Sequence, residues 1–227
     1  MRGKNTSDKS LLIVIPAYNE AKRLALTLEK CLRQGTTLVI DDGSVDGTGA
    51  VANKLGALIL THDYNFGYEV AIQSGLQFFL NSEYEKVIFI DADGEIDVDC
   101  AMDLAKKVNA KTPIGLGFRE NFNRTSEKTS AKLSLLLFGV RDPFCGCKCF
   151  HKSILCCNSV NLLSKRIFSA VLVYLINERL NFVQEMVQGK QRLGVSKFSK
   201  SRFLADLKLF YAFARNILQI VKKKILT

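Results

Sequence analysis

The sequence predicts an α/β fold with a mostly parallel central sheet and helices on both faces, and three observations predict it. Short unbroken apolar runs recur along the chain, as they do in strands buried on both faces. Stretches with apolar residues at helical spacing separate those runs, and regular strand–helix alternation is the pattern of a covered parallel sheet. The length, 227 residues with 48% apolar and 24% charged side chains, suits one domain of ordinary size.

LLIVI (11–15) is the first strand. The loop PAYNE follows, and EAKRLALTLEKCLRQG then reads as a helix ended by Gly35. TLVI (37–40) is the second strand, with a turn and a helix in DDGSVDGTGAVANKLG. ALIL (57–60) is the third, and NFGYEVAIQSGLQFFL carries a helix punctuated by glycine. KVIFI (86–90) and IGLGF (114–118) are the fourth and fifth strands, with a helical stretch between them. Ligands of such sheets bind beyond the carboxyl ends of the strands. The polar residues after strands one, two and four therefore converge: Tyr18, Asn19 and Glu20; Asp41 and Asp42; Asp91 and Asp93.

The stretch FIDADGE (89–95) sets two carboxylates one residue apart at a strand's end, where they repel unless a proton or a cation relieves them. In isolation such a pair reads as a solvated turn capping the next helix. Beside the other acids it reads as a site for a hard divalent cation, Mg2+ or Mn2+, which takes oxygen ligands. Asp41 and Asp42 open a turn whose chemistry Gly43 and Ser44 supply. The first loop has no glycine and DGSVDGTG lacks the GxGxxG spacing, so a nicotinamide or flavin enzyme is not expected.

The formal charge of +10 predicts an anionic partner. Its basic residues are dispersed and no RNA-binding motif is present, so nucleic acid is not the expected one. Seven cysteines, an odd number, are scattered through the chain, which favours reduced thiols over disulfides. In CGCKC (145–149), alternation puts three cysteines on one strand face without the CxxC spacing of a zinc knuckle, and buried thiols are the better reading. The first apolar run is too short for a secretory signal, and no later run reaches the length of a spanning helix. A cytoplasmic, non-spanning chain is expected.

VIPAYNE, IDDGSVDGTG, NFGYEVAIQSGL, FIDADGE, RDPFCGCKCF and RLGVSKF resemble, in this order, the motifs of family 2 inverting glycosyltransferases. They look most like the branch that makes dolichyl- or polyprenyl-phosphate sugars. The resemblance runs from about residue 11 to 200. It implies a GT-A type nucleotide-sugar-binding fold over residues 1–200, and transfer of a hexose from a nucleoside-diphosphate sugar (GDP-mannose or UDP-glucose) to a polyprenyl phosphate. It implies that Asp91 and Asp93 hold the metal bridging the donor's diphosphate. Pro16, Ala17, Tyr18, Glu20, Asp41, Asp42, Asp91 and Ala92 would line the donor, with the carboxylates accepting hydrogen bonds from the base and ribose. Arg119 would lie near the phosphates, or else be a solvated surface arginine. Asp142 matches the acid of a segment in which Gly146, Lys148 and Phe150 also match, and is the candidate acid near the acceptor. Asp142, Arg119 and Asp93 are thus the candidate catalytic residues. Arg192, Gly194, Ser196 and Lys197 resemble a loop that contacts the acceptor phosphate, where a fork, a point charge and a hydroxyl make an anion cradle. Glu185 would orient those basic groups.

Three positions depart from the pattern. Cys147 stands where an aromatic is usual, Glu69 replaces a lysine of the third loop, and RIFSAVLVY lacks a glutamate common in relatives. Residues 201–227 place apolar side chains at helical spacing among Lys200, Arg202, Lys208, Arg215 and Lys222 to Lys224. They read as a basic amphipathic helix, either lying in an anionic membrane surface or packed on the core. A lipid-linked acceptor favours the membrane, visited peripherally at its cytoplasmic face or through a membrane-protein partner. Two other readings are transfer to a saccharide hydroxyl of a surface polysaccharide, with Asp142 as base, and non-catalytic binding of a nucleotide sugar.

Overall fold

The computed structural model describes residues 10–122, 125–155 and 181–187, the side chains of residues 126 and 137 excepted. Strands β1 (Leu11–Ala17), β2 (Thr36–Asp41), β3 (Leu58–Thr61), β4 (Lys86–Phe89) and β5 (Ile114–Phe118) occupy the five expected places, within two residues at every boundary. Helices α1 (Ala21–Gln34), α2 (Thr48–Leu55), α3 (Tyr68–Leu80) and α4 (Val98–Lys107) lie between them. Helix α5 (Thr125–Phe138), strand β6 (Lys148–His151), the short α6 (Lys152–Leu155) and β7 (Phe182–Met186) follow.

One seven-stranded sheet runs in the order β3-β2-β1-β4-β6-β5-β7. All neighbouring pairs are parallel except those of β6, which runs against both β4 and β5. Alternation along β1 divides the core: Ile13 and Ile15 pack with Leu24 and Leu28 of α1 and Leu104 of α4, while Leu12 and Val14 pack with Ile72, Leu76 and Phe79 of α3. Both faces are therefore covered, which is why the strands read as unbroken apolar runs rather than alternating ones. Gly75 lets α3 lie close on β1, since a Cβ there would sit 2.7 Å from Val14 Cγ1.

The register aligns the carboxyl ends that matter. Ala17 pairs with Asp41, and Val14 pairs with Phe89, two residues before Asp91. Because β6 is antiparallel, its first residue, Lys148, lies opposite Phe89 and Leu116, so the segment entering β6 meets the edge where β4 and β5 end. The three cysteines of CGCKC are fully buried in one core cluster and carry free thiols, as expected, although only Cys149 lies within the strand proper. Among the described residues no helix is long and apolar enough to cross a membrane. Residues 201–227, and the loop with Arg192, Gly194, Ser196 and Lys197, lie outside the described residues.

Candidate active site

The loops after β1 and β2 lock together. Asn19, in the left-handed region at φ 51°, which asparagine tolerates better than most residues, accepts from the Val45 amide through Oδ1 (2.9 Å) and donates its own amide to Ser44 Oγ (2.9 Å). The Glu20 amide donates to Thr48 Oγ1 (2.9 Å) and the Ala21 amide to Asp46 Oδ2 (3.1 Å). PAYNE and DGSVDGT are thus two halves of one hydrogen-bonded unit. Pro16 and Ala17 form its floor at the end of β1, and Tyr18 projects from it, 40% exposed. Glu20 pairs with Arg23 at 3.2 Å.

The two acids ending β2 differ in what they touch. Asp41 is buried and accepts from the Ser44 amide (3.1 Å). Asp42 is buried and accepts from the Phe66 and Gly67 amides (3.0 and 2.8 Å) and contacts His62 Nδ1 (2.7 Å). His62 Nε2 reaches Ser74 Oγ of α3 at 2.9 Å. Asp42 thereby ties β2 to the loop that starts α3.

At the end of β4, the half-buried Asp91 accepts at Oδ1 from the Tyr68 hydroxyl (3.0 Å). Gly146 lies flat against the same carboxylate: a Cβ at that position would fall 1.9 Å from Oδ2. Burial and then the nearby Asp93 push the Asp91 pKa up to about 6, partly opposed by the Tyr68 hydrogen bond, Lys148 and Arg119. Ala92 is buried, and Asp93 Oδ1 accepts from the Glu95 amide (3.1 Å). A carboxylate whose charge is disfavoured by burial and by a like neighbour is one a divalent cation relieves. Among the described residues no cluster of three or more His, Cys, Asp or Glu side chains is arranged to hold a metal. A cation held by Asp91 and Asp93 would complete its shell with substrate oxygens and water, as Mg2+ commonly does.

Arg119, one residue past β5, is surrounded by acids. Its backbone N–H and Nε donate to Asp142 Oδ2 (3.2 and 2.8 Å), and NH1 lies 3.5 Å from Glu95 and NH2 3.9 Å from Glu127. Burial works against the guanidinium charge, but Asp142 above all, with smaller contributions that include Glu127, outweighs it and raises its pKa above the ordinary value. Asp142, with its side chain fully buried, also accepts from the Phe144 amide (3.1 Å). Lys148 is buried, which lowers its pKa, and Nζ donates to the Cys145 carbonyl.

The structure therefore gathers Asp91, Asp93, Arg119 and Asp142 along one sheet edge, with Asp41, Pro16, Ala17 and Tyr18 on the β1–β2 side. Arg119 is largely buried rather than solvated. Glu185 pairs with Lys107 of α4. Sequence reasoning gave no role to Tyr68, His62 or Glu95. Glu95 stood in view inside FIDADGE, whereas Tyr68 and His62 acquire partners only through folding.

A family model described as "Glycosyl transferase family 2" matches residues 12–172. The chain belongs to that family. The family 2 chain is 30% identical to human dolichyl-phosphate β-glucosyltransferase, the alignment covering 63% of this chain and 55% of that one. It is 27% identical to the polyprenol monophosphomannose synthase of Mycolicibacterium smegmatis, over 84% and 81%. A Trichomonas vaginalis protein named dolichyl-phosphate β-glucosyltransferase matches at 28% identity over 61% and 51%, so the chain spans about half the length of the two glucosyltransferases. Among solved structures it is similar to glucosyl-3-phosphoglycerate synthase from Mycobacterium tuberculosis, in complex with Mn2+, UDP and phosphoglyceric acid (TM-score 0.70, 15% identity, 93% of this chain and 78% of that chain). It is also similar to mannosyl-3-phosphoglycerate synthase from Rubrobacter xylanophilus (TM-score 0.71, 16% identity, 96% and 75%). These likenesses give the GT-A type fold that the sequence leads one to expect.

Proposed function

We propose that this family 2 chain transfers a hexose, with inversion, from a nucleoside-diphosphate sugar such as GDP-mannose or UDP-glucose to a dolichyl or polyprenyl phosphate, using Mg2+ or Mn2+. The observation that carries the reading is the pair Asp91 and Asp93 at the tip of β4, beside the locked β1–β2 loops and the Arg119–Asp142 pair. The relatives named for dolichyl and polyprenyl phosphate supply the acceptor class.

Pro16, Ala17, Tyr18, Glu20, Asp41 and Asp42 would receive the base and ribose, with Asp42 acting through the α3 loop that it holds. Asp91, Ala92 and Asp93 would face the diphosphate, with the two carboxylates as the cation's protein ligands. A bound divalent cation supplies positive charge against the departing diphosphate. An acceptor phosphate oxygen attacks the anomeric carbon as the bond to the diphosphate breaks, and being anionic already it needs no strong base. Asp142 is held by Arg119 and the Phe144 amide, which supports positioning rather than proton abstraction and favours phosphate over a sugar hydroxyl as acceptor. Arg119, shared among three carboxylates, would hold that acidic cluster in place. Arg192, Ser196 and Lys197 would hold the acceptor phosphate. A lipid-borne acceptor puts the reaction at a membrane surface on the cytoplasmic side.

The test is incubation with Mn2+, labelled GDP-mannose or UDP-glucose and a short polyprenyl phosphate. Labelled lipid is expected with one donor; none with either donor would count heavily against the reading. Asp142→Asn should reduce turnover moderately, and near-abolition would favour the hydroxyl-acceptor reading.

A further inference from the structure

We infer that Tyr68 is a positioning residue for Asp91: its hydroxyl, delivered by a hydrogen-bonded path from Asp42, holds the carboxylate in the orientation in which it takes the cation. The inference deepens the proposed function and rests on its cation site. Asp91 is confined by two neighbours. The Tyr68 hydroxyl donates to Oδ1 at 3.0 Å. The Gly146 backbone approaches the same carboxylate so closely that any Cβ there would lie 1.9 to 2.5 Å from its three atoms. A carboxylate fixed in this way loses little side-chain freedom when it binds an ion.

Tyr68 is in turn fixed by residues remote from Asp91. It opens α3 directly after Gly67, whose amide donates to Asp42 Oδ2 at 2.8 Å. The Phe66 amide donates to the other oxygen of Asp42 at 3.0 Å. His62 bridges that same oxygen to Ser74, six residues further along α3, at 2.7 and 2.9 Å. The first turns of α3 are therefore pinned to the end of β2 at two places. Asp42 is too enclosed to serve the donor through a free carboxylate and acts instead through Tyr68. Partners of metal-binding carboxylates that touch no metal themselves still govern affinity, and their removal typically weakens binding about 10- to 100-fold.

The test compares wild type with Tyr68→Phe, a change that removes one oxygen and keeps the ring. Free Mn2+ is followed by electron paramagnetic resonance during titration with Mn2+ alone, and again with UDP or GDP present. Melting temperature and far-ultraviolet dichroism are recorded without metal. The expected result is Mn2+ binding about 10- to 100-fold weaker, with the metal-free far-ultraviolet dichroism unchanged, the metal-free melting transition still cooperative and at most modestly lower, and the Mn2+ concentration for half-maximal transfer rising more than kcat falls. Equal Mn2+ affinity in the two proteins, with wild type binding, overturns the inference and leaves the proposed function standing. Weaker binding together with a lost metal-free folded signal assigns Tyr68 to folding and also overturns it. A wild type that binds no Mn2+ in any of these titrations removes the cation site, and both proposals with it.

Discussion

Asp91 is where function and stability pull against each other, and Asp91→Asn measures by how much. Its carboxyl is pushed from an ordinary 3.8 up to about 6, first by burial and then by Asp93. The native state thus holds this proton more tightly than the unfolded chain does. Below 3.8 both states are protonated and nothing is lost. Between 3.8 and about 6 the unfolded chain ionises first, so the contribution of Asp91 to stability falls as pH rises, and above about 6 the full penalty is present. At about 1.4 kcal/mol per pKa unit, that penalty is at most about 3 kcal/mol at neutral pH. Asparagine keeps the shape and an acceptor for the Tyr68 hydroxyl but carries no charge. In urea denaturation with EDTA, the variant is expected to be more stable than wild type by about 2 to 3 kcal/mol at pH 7.5, and by only about 1 kcal/mol at pH 4.5. Adding Mn2+ should raise the wild-type midpoint and leave that of the variant in place. An Asn variant that is no more stable than wild type at pH 7.5 would refute the reasoning.

Other expectations follow from single contacts. Gly146→Ala drives a methyl group into the Asp91 carboxylate; sugar transfer should fall about 100-fold and stability by about 1 to 3 kcal/mol, read by initial rates and urea midpoints. Arg119→Met leaves Asp142 buried without its cation and should cost about 3 to 5 kcal/mol, measured by chemical denaturation. Burial pushes the Cys31, Cys145 and Cys149 thiols up to about 12 and raises Cys147 as well, so these four should resist iodoacetamide at pH 8. All four should label once guanidinium unfolds the chain, as peptide mass spectrometry would record.

The five parallel strands were legible because each is buried on both faces and so spells an unbroken apolar word. The antiparallel entry of β6 was not legible. KCFH (148–151) carries a lysine at its start, and nothing local says that this lysine is buried between β4 and β5. The acids ending β2 and β4 could be found from position alone. What distinguishes Asp41 from Asp42 could not: the partners of Asp42 lie 20 to 25 residues away in a loop, and only the fold brings them together. Gly146 carries the same lesson, since its need for a bare Cα arises from a carboxylate 55 positions earlier in the chain.

The clasp between the first two loops also governs how this end of the molecule breathes. Amides of Asn19, Glu20, Ala21 and Val45 all donate across it, so neither segment can open without releasing the other. In deuterium exchange the four should therefore lose protection together, as one local unfolding unit with a shared free energy. A nucleotide seated on either loop would slow exchange in both.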